Sequence, residues 1–389
     1  MKLNINVDRV QSPPIAEAVS WLDRPRADPS LPVIDLAQAV PNYPPSPDLM
    51  AHVADYVKTA KSAFYTPILG LADLRSALAK DMSATYGVTI EAKNVAITAG
   101  ANHAYCLATL AVAGPGDEVL LGAPYYFNHD MWFTMQGIRQ VKLPCHRTPQ
   151  GLLPDVAEAA RLITERTRAI ALVTPNNPTG TIFPPELLAQ FLALAKANDI
   201  ALILDETYRD FLPAGARPHE LFNRPGWHDH LVHIYSFSKA FSLTGYRVGA
   251  LAGGDQLMAA VEKIADTMTI CPPNVGQAAA LFAVENLQDW KRQKCDAMAD
   301  KAAALDAAFA RHKPRLELIS RGAFFAYLRD PAQPADDVAL AQKLVHDLAV
   351  LLLPGSFFGS PGDAGYLRAA FANIDAGEID TMVARLATL

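Results

Sequence analysis

From residue 95 onward, short apolar runs recur along the chain with room for a helix between most of them. Runs of strand length fall at Val95–Thr98, Glu118–Leu121, Arg139–Leu143, Ala169–Val173, Ile200–Leu204, Leu231–Tyr235 and Arg247–Ala252. Between them, Asn102–Val112, Pro154–Glu165 and Pro185–Ala197 show apolar positions at helical spacing. Alternation of this kind predicts right-handed strand–helix–strand units and a mostly parallel seven-stranded sheet between helices, an α/β fold. Upstream, residues 48–86 read as helical, broken at Tyr65-Thr-Pro-Ile-Leu-Gly70. Residues 1–45 are proline-rich, with one amphipathic stretch near Ala16–Leu22. The last hundred residues change character. An Ala-rich helix is expected from about Val275 through Ala310, then short elements at Leu316–Ile319, Ala323–Leu328, Asp336–Asp347, Val350–Leu353 and Tyr366–Ala372. We expect a large unit over 46–285, a smaller α+β unit over 286–389, and an N-terminal segment, 1–45, packed with the smaller one.

Composition narrows the function. At 389 residues the chain is long enough for two or three domains. With 51% hydrophobic and 19% charged residues it is a folded protein rather than a disordered one. The net charge of -6, without a basic run, argues against nucleic acid as a partner. No apolar run approaches the ~18–20 residues of a membrane span. The opening MKLNINVDRV lacks the basic-then-apolar order of a signal peptide, so the expected location is cytoplasmic. Cys106, Cys145, Cys271 and Cys295 form no CxxC pair, so neither a disulfide framework nor a cysteine metal site is expected. His228, His230 and His233 resemble a metal-binding run, but at the entry to a strand they would point apart and read as packing or surface residues.

The polar residues collect where parallel sheets bind ligands, beyond the carboxyl ends of strands. Val95–Thr98 runs into Ala99-Gly100-Ala101-Asn102 and a helix; Ala169–Val173 into Thr174-Pro-Asn-Asn-Pro-Thr-Gly180. Ile200–Leu204 ends on Asp205-Glu206-Thr207-Tyr208, and Leu231–Tyr235 runs into Ser236-Phe-Ser-Lys239, with Arg247 eight residues on. A glycine turn opening a helix seats a phosphate on free N–H groups. Ser236, Ser238 and Arg247 add hydroxyls and a permanent cation. Lys239 in apolar surroundings can act as a Schiff-base amine. Asp205 at the end of a buried strand stays ionised beside a positive partner. Together these point to pyridoxal phosphate, whose ring becomes an electron sink when an acidic side chain keeps its nitrogen protonated. A nicotinamide dehydrogenase is disfavoured, because no GxGxxG follows any predicted strand.

The chain resembles the class I/II aminotransferases, the aspartate-aminotransferase-like group of fold type I, from about residue 30 to 389. The resemblance rests on SFSKAFSLTGYRVG (236–249), NNPTGT (176–181), DETY (205–208) and LRAAFA (367–372). It implies that Lys239 forms the imine with the cofactor and shuttles the proton at the substrate α-carbon. It implies Asp205 as partner of the ring nitrogen, and Asn177 and Tyr208 as donors to the phenolic oxygen. Gly100, Ala101, Asn102, Ser236, Ser238 and Arg247 match the phosphate cup, and Tyr126 in PYYFNH the stacked aromatic ring. Tyr65 matches a tyrosine that reaches the phosphate of the neighbouring subunit, implying a homodimer with shared sites. Arg368 matches the arginine that grips the substrate α-carboxylate. Ala39 stands where the family usually carries glycine near that carboxylate. No arginine precedes Cys271-Pro-Pro-Asn274, so specificity for a dicarboxylate is not supported. Cys271 itself reads as a packing residue. Trp21, Tyr43, Phe64, Phe324 and Phe325 are candidates to line a pocket for an apolar side chain.

The resemblance thus implies a transaminase acting on an amino acid and a 2-oxo acid in a ping-pong sequence. Two alternatives stay open: the same fold and cofactor catalysing β-elimination or amino-acid oxidation, and a non-catalytic cofactor-binding regulator. Fold alone does not separate them.

Overall fold

A computed structural model describes residues 1–332, 336–359 and 365–389. The first strand, β1 (Ile34–Asp35), lies outside the main sheet. Then follow β2 (Val95–Thr98), β3 (Glu118–Ala123), β4 (Arg139–Thr148), β5 (Gly151–Pro154), β6 (Thr167–Val173), β7 (Ala201–Asp205), β8 (Leu231–Ser236) and β9 (Gly249–Ala252). Among the described residues these eight form one sheet in the order β2-β9-β8-β7-β6-β3-β4-β5. The pairs from β8 through β4 are parallel; β9 is antiparallel to both its neighbours. Helices Ala101–Val112, Phe127–Gln136 and Pro185–Ala197 connect the strands.

Alternate residues of each central strand feed opposite faces. Leu202 and Leu204 of β7 join one apolar cluster; Ile203 joins the other. In β8, Leu231 and Tyr235 face one way, Val232 and Ile234 the other. A strand buried on both faces reads as a continuous apolar run, which is why the period-2 signal is hidden in the sequence while the strand itself is obvious.

The departures from expectation are local. The sheet has eight strands, not seven, because β4 runs on to Thr148 and turns back through Gly151, whose φ of +116° suits glycine, into β5. The helix expected over Pro154–Glu165 is consequently shorter, Val156–Leu162. The Ala-rich segment is two helices, Asn274–Asn286 and Gln288–His312, parted at Leu287. Arg247 is not in a strand: its backbone is left-handed, φ +50°, and β9 starts two residues later.

Beyond residue 312, β10 (Glu317–Gly322), β11 (Phe325–Arg329), β13 (Leu353–Pro354) and β14 (Tyr366–Ala370) make a second, antiparallel sheet. The helices Asp337–Leu348 and Ala376–Leu386 pack near it. From the N-terminal segment, β1 pairs in parallel with β12 (Val350–Leu351).

Candidate active site

The strand order reverses between β3 and β6, and a cleft opens at the carboxyl edge of the sheet there. Five strands deliver residues to it from their C-terminal ends: Ala101 and Asn102 after β2, Tyr126 after β3, Asn177 after β6, Asp205 and Tyr208 from β7, and Ser236, Ser238 and Lys239 from β8. Because β9 is reversed, Arg247 reaches the same edge from its N-terminal side. Arg368 of β14 closes the cleft from the second sheet, and Ala39 from the N-terminal segment.

Lys239 donates from Nζ to the Ala39 carbonyl at 2.9 Å. Burial first, then the Arg368 and Arg247 charges, push its pKa down to about 8. The Tyr43 hydroxyl donates to the Lys239 carbonyl at 3.0 Å, so the N-terminal segment also holds the lysine's backbone. Ser236 caps the short helix that carries Lys239 and accepts from the Ser238 N–H at 3.2 Å.

Asp205 is 7% exposed, and burial pushes its pKa up to about 6 against the hydrogen bond from Thr207 N–H, 2.9 Å, which acts the other way. Its Oδ2 lies 3.6 Å from His129 Nε2. Burial drives the His129 pKa down to about 3, so the ring is neutral and puts no positive charge beside Asp205. That imidazole is stacked on Tyr105, centroids 3.6 Å apart and planes 6° from parallel. His129 was not among the residues singled out from sequence. The signal was there: in PYYFNH it follows Tyr126 by three, and at the start of the helix Phe127–Gln136 that spacing puts both on one side.

At the opposite end, Gly100 caps the helix Ala101–Val112 with φ +91°. A Cβ there would stand 2.4 Å from Arg247 Nη2, so the bare backbone is what lets the guanidinium approach the helix N-terminus. Arg247 is steadied by a hydrogen bond from Nη1 to the Thr244 carbonyl, 3.0 Å. Arg368 is 1% exposed. It donates to Asn177 Oδ1 at 3.3 Å and to the Ala37 carbonyl, its Nε has no partner, and it forms no ion pair among the described residues. Burial pushes its pKa down to about 10. A buried guanidinium with a free donor and no counter-charge is half of an anion site. Tyr208 packs edge-on against Phe325, 5.0 Å, and burial raises its pKa far above that of a free phenol. The Tyr126 phenol is likewise raised by burial.

Not every candidate joins the cleft. Tyr65 is 78% exposed on the surface. None of the five proposed pocket aromatics lines the cavity: Phe64 is exposed, Trp21 packs on Phe357, Tyr43 binds backbone, and Phe324 and Phe325 support Tyr208 from behind. Ile15, Gln38 and Val40 line that part instead, and no motif pointed to them. The three histidines of the HxHxxH run sit in different surroundings: His228 against Trp227, His230 facing the Ile200 carbonyl, His233 in the core. Cys271 takes an N–H from Thr66 at 3.5 Å. No helix among the described residues is long and apolar enough to cross a membrane.

The family model for aminotransferase class I and II matches residues 32–386. An aromatic aminotransferase from Arabidopsis thaliana is 29% identical over 359 residues, covering 91% of this chain and 88% of its own. A valine–pyruvate aminotransferase from Mycobacterium tuberculosis is 31% identical over 326 residues, 83% of this chain and 82% of its own. The crystal structure of an aminotransferase from Mycobacterium tuberculosis superposes with a TM-score of 0.88 at 27% identity, covering 100% of this chain and 98% of that one. With a site of this composition at the switch point of this sheet, and a family match over nearly its whole length, the chain belongs to the class I and II aminotransferases and is an enzyme that transfers amino groups.

Proposed function

We propose that the protein is a pyridoxal-phosphate-dependent transaminase that moves an amino group from an L-amino acid to a 2-oxo acid by a ping-pong sequence. The observation that carries this is the convergence of Lys239, Asp205, Arg247 and Arg368, four ionisable groups of different duties, on one cleft. The donor set fits the cofactor. Arg247, the Ser236 and Ser238 hydroxyls and the helix N-terminus at Gly100, Ala101 and Asn102 suit its phosphate. Asp205, a buried carboxylate with no cation paired to it, suits its ring nitrogen. Asn177 and Tyr208 suit its phenolic oxygen, Tyr126 its ring face, and Lys239 Nζ its aldehyde carbon. When bound, pyridoxal phosphate supplies a sink for the electrons left at the donor's α-carbon when a proton departs.

The chain's own residues do the rest. Arg368 takes the donor's α-carboxylate on its free donors, which orients the α-carbon. Lys239 has a pKa near the operating range, so its amine accepts the α-proton and returns it. Asp205, once beside a positive charge, stays ionised and holds it. Ile15, Gln38 and Val40 face the space left for the donor's side chain. They carry no charge, so the side chain they suit is uncharged. We further propose a homodimer in which Tyr65 completes the neighbouring site, a large unit over 46–285, a small unit over 286–389, and residues 1–45 packed with the latter.

A visible spectrum of the purified protein tests the reading. A yellow band that bleaches with particular L-amino acids and is absent from Lys239→Ala is the expected result. No band after adding pyridoxal phosphate sinks it. A band that bleaches with no amino acid moves the protein to another reaction of the same cofactor.

A further inference from the structure

The segment Asp205–Asp210 has two faces. Asp205, Thr207 and Tyr208 line the cleft. The side chains between and after them turn away and are gripped in the core. Strand alternation sends Glu206 to the side opposite Asp205, and there three polar groups surround its Oε2. His233 Nε2 stands at 3.0 Å, His219 Nε2 at 3.1 Å, and the Tyr86 hydroxyl completes the set. The His219 Nδ1 accepts from the Leu221 N–H, which leaves its ring proton on Nε2, facing the carboxylate. The next residues repeat the pattern. Arg209 donates to Asp81 at 2.6 Å, and Asp210 accepts from Lys291 at 2.9 Å and from the Tyr235 hydroxyl at 2.7 Å. Glu206, 1% exposed, is therefore tied to a helix, a strand and a loop at once, one peptide unit from Asp205.

Burial alone would raise the Glu206 pKa; the two imidazoles outweigh it and hold the group ionised. Burial keeps His233 below its usual pKa, and the ionised Glu206 carboxylate sits fixed behind Asp205. A buried charge of this kind is a costly route to stability, and an apolar cluster of equal volume serves stability as well or better. What it supplies is a single geometry.

We propose that Glu206 is a positioning residue for transamination, holding the 205–208 segment so that Asp205 and Tyr208 meet the cofactor in one fixed arrangement. The proposal rests on the assignment of Asp205 and Tyr208 to the cofactor. It concerns how they are held, which that assignment leaves open.

Glu206→Gln removes the charge and keeps the volume. Asp330→Asn serves as control, because it takes the charge from a buried carboxylate paired with the partly exposed Arg315, 2.7 Å, outside the cleft lining. For Glu206→Gln we expect the cofactor dissociation constant, from titration of cofactor-free protein, to rise about tenfold. The band of the loaded protein should shift in its pH midpoint, and kcat per loaded site should fall about ten- to a hundredfold with KM within about threefold. Asp330→Asn should lose thermal stability and move none of these. If Glu206→Gln melts early but keeps the cofactor constant, the pH midpoint and kcat within twofold of the parent, the residue is structural only and the proposal falls. If Glu206→Gln does not fold, Tyr86→Phe, which removes one donor and no carbon, carries the same test with a smaller expected change in the same direction. A parent protein that binds no pyridoxal phosphate overturns the underlying reading and this proposal together; a parent that binds and bleaches while the variants match it overturns this proposal alone.

Discussion

Asp205 shows how a single residue trades stability for chemistry. Its folded pKa of about 6 lies above the ordinary 3.8. A raised acid binds its proton more tightly in the folded chain, so its contribution favours folding below the unfolded pKa and is lost as pH rises through about 6. Above that, the unpaired carboxylate costs the cofactor-free protein at most about 3 kcal/mol, two pKa units and a little more. We therefore expect Asp205→Asn to stabilise the cofactor-free protein at about pH 8, with the gain absent at about pH 4, and to abolish transamination. Urea unfolding at the two pH values measures it. A variant equally shifted at both would mean the carboxylate already has a partner. The residue scale is also where sequence reading reached furthest, because Asp205, Asn177, Ser236 and Lys239 each stand at the exit of an obvious strand. His129 is legible only as a neighbour of Tyr126 at the start of a helix; its contact with Asp205, 76 positions away, is made by the fold.

At the scale of elements, the N-terminus of the helix Ala101–Val112 is defined by what is missing at Gly100. Adding one methyl there places it against Arg247 and asks for φ +91° from an L side chain. We expect Gly100→Ala to weaken pyridoxal phosphate binding by at least about tenfold, roughly 1.4 kcal/mol, through displacement of the guanidinium. Gly245→Ala, where a Cβ meets nothing within 4 Å, should bind as the parent does. Equal affinities for the two variants in a cofactor titration would remove Arg247 from the phosphate seat. The elements misjudged from sequence share one cause. Nothing in the local pattern marks Leu287 as a break, since no glycine or proline stands there. The two helices part because they pack on different partners: Asn274–Asn286 on Pro47–Tyr56 and Ala72–Tyr86, Gln288–His312 on Ala376–Leu386. Propensity yields to packing in such a case.

On the scale of the whole molecule, the cleft is built from three distant parts of the chain: the main sheet, β14 with Arg368, and the N-terminal segment with Ile15 and Ala39. Tyr65 belongs to none of them. With Phe64, 67% exposed, Met268 and Ile270 it leaves large apolar side chains on the surface. If Tyr65 completes a neighbour's site, sedimentation should give twice the chain mass, and Tyr65→Phe should weaken cofactor binding severalfold without changing that mass. A protein of single chain mass at micromolar concentration contradicts the shared-site dimer.

The sequence by itself determined the alternation of strands and helices, the edge of the sheet at which chemistry collects, and the residue types placed there. These follow from rules that act over a few positions: burial periodicity, turn preference and the direction of parallel strands. Tertiary structure alone decided which residues meet. It chose Ile15, Gln38 and Val40 over the aromatics as lining, set a neutral His129 beside Asp205, and clamped Glu206 from Tyr86, His219 and His233. Those contacts join positions tens to hundreds of residues apart, and no local pattern carries the path the chain takes between them.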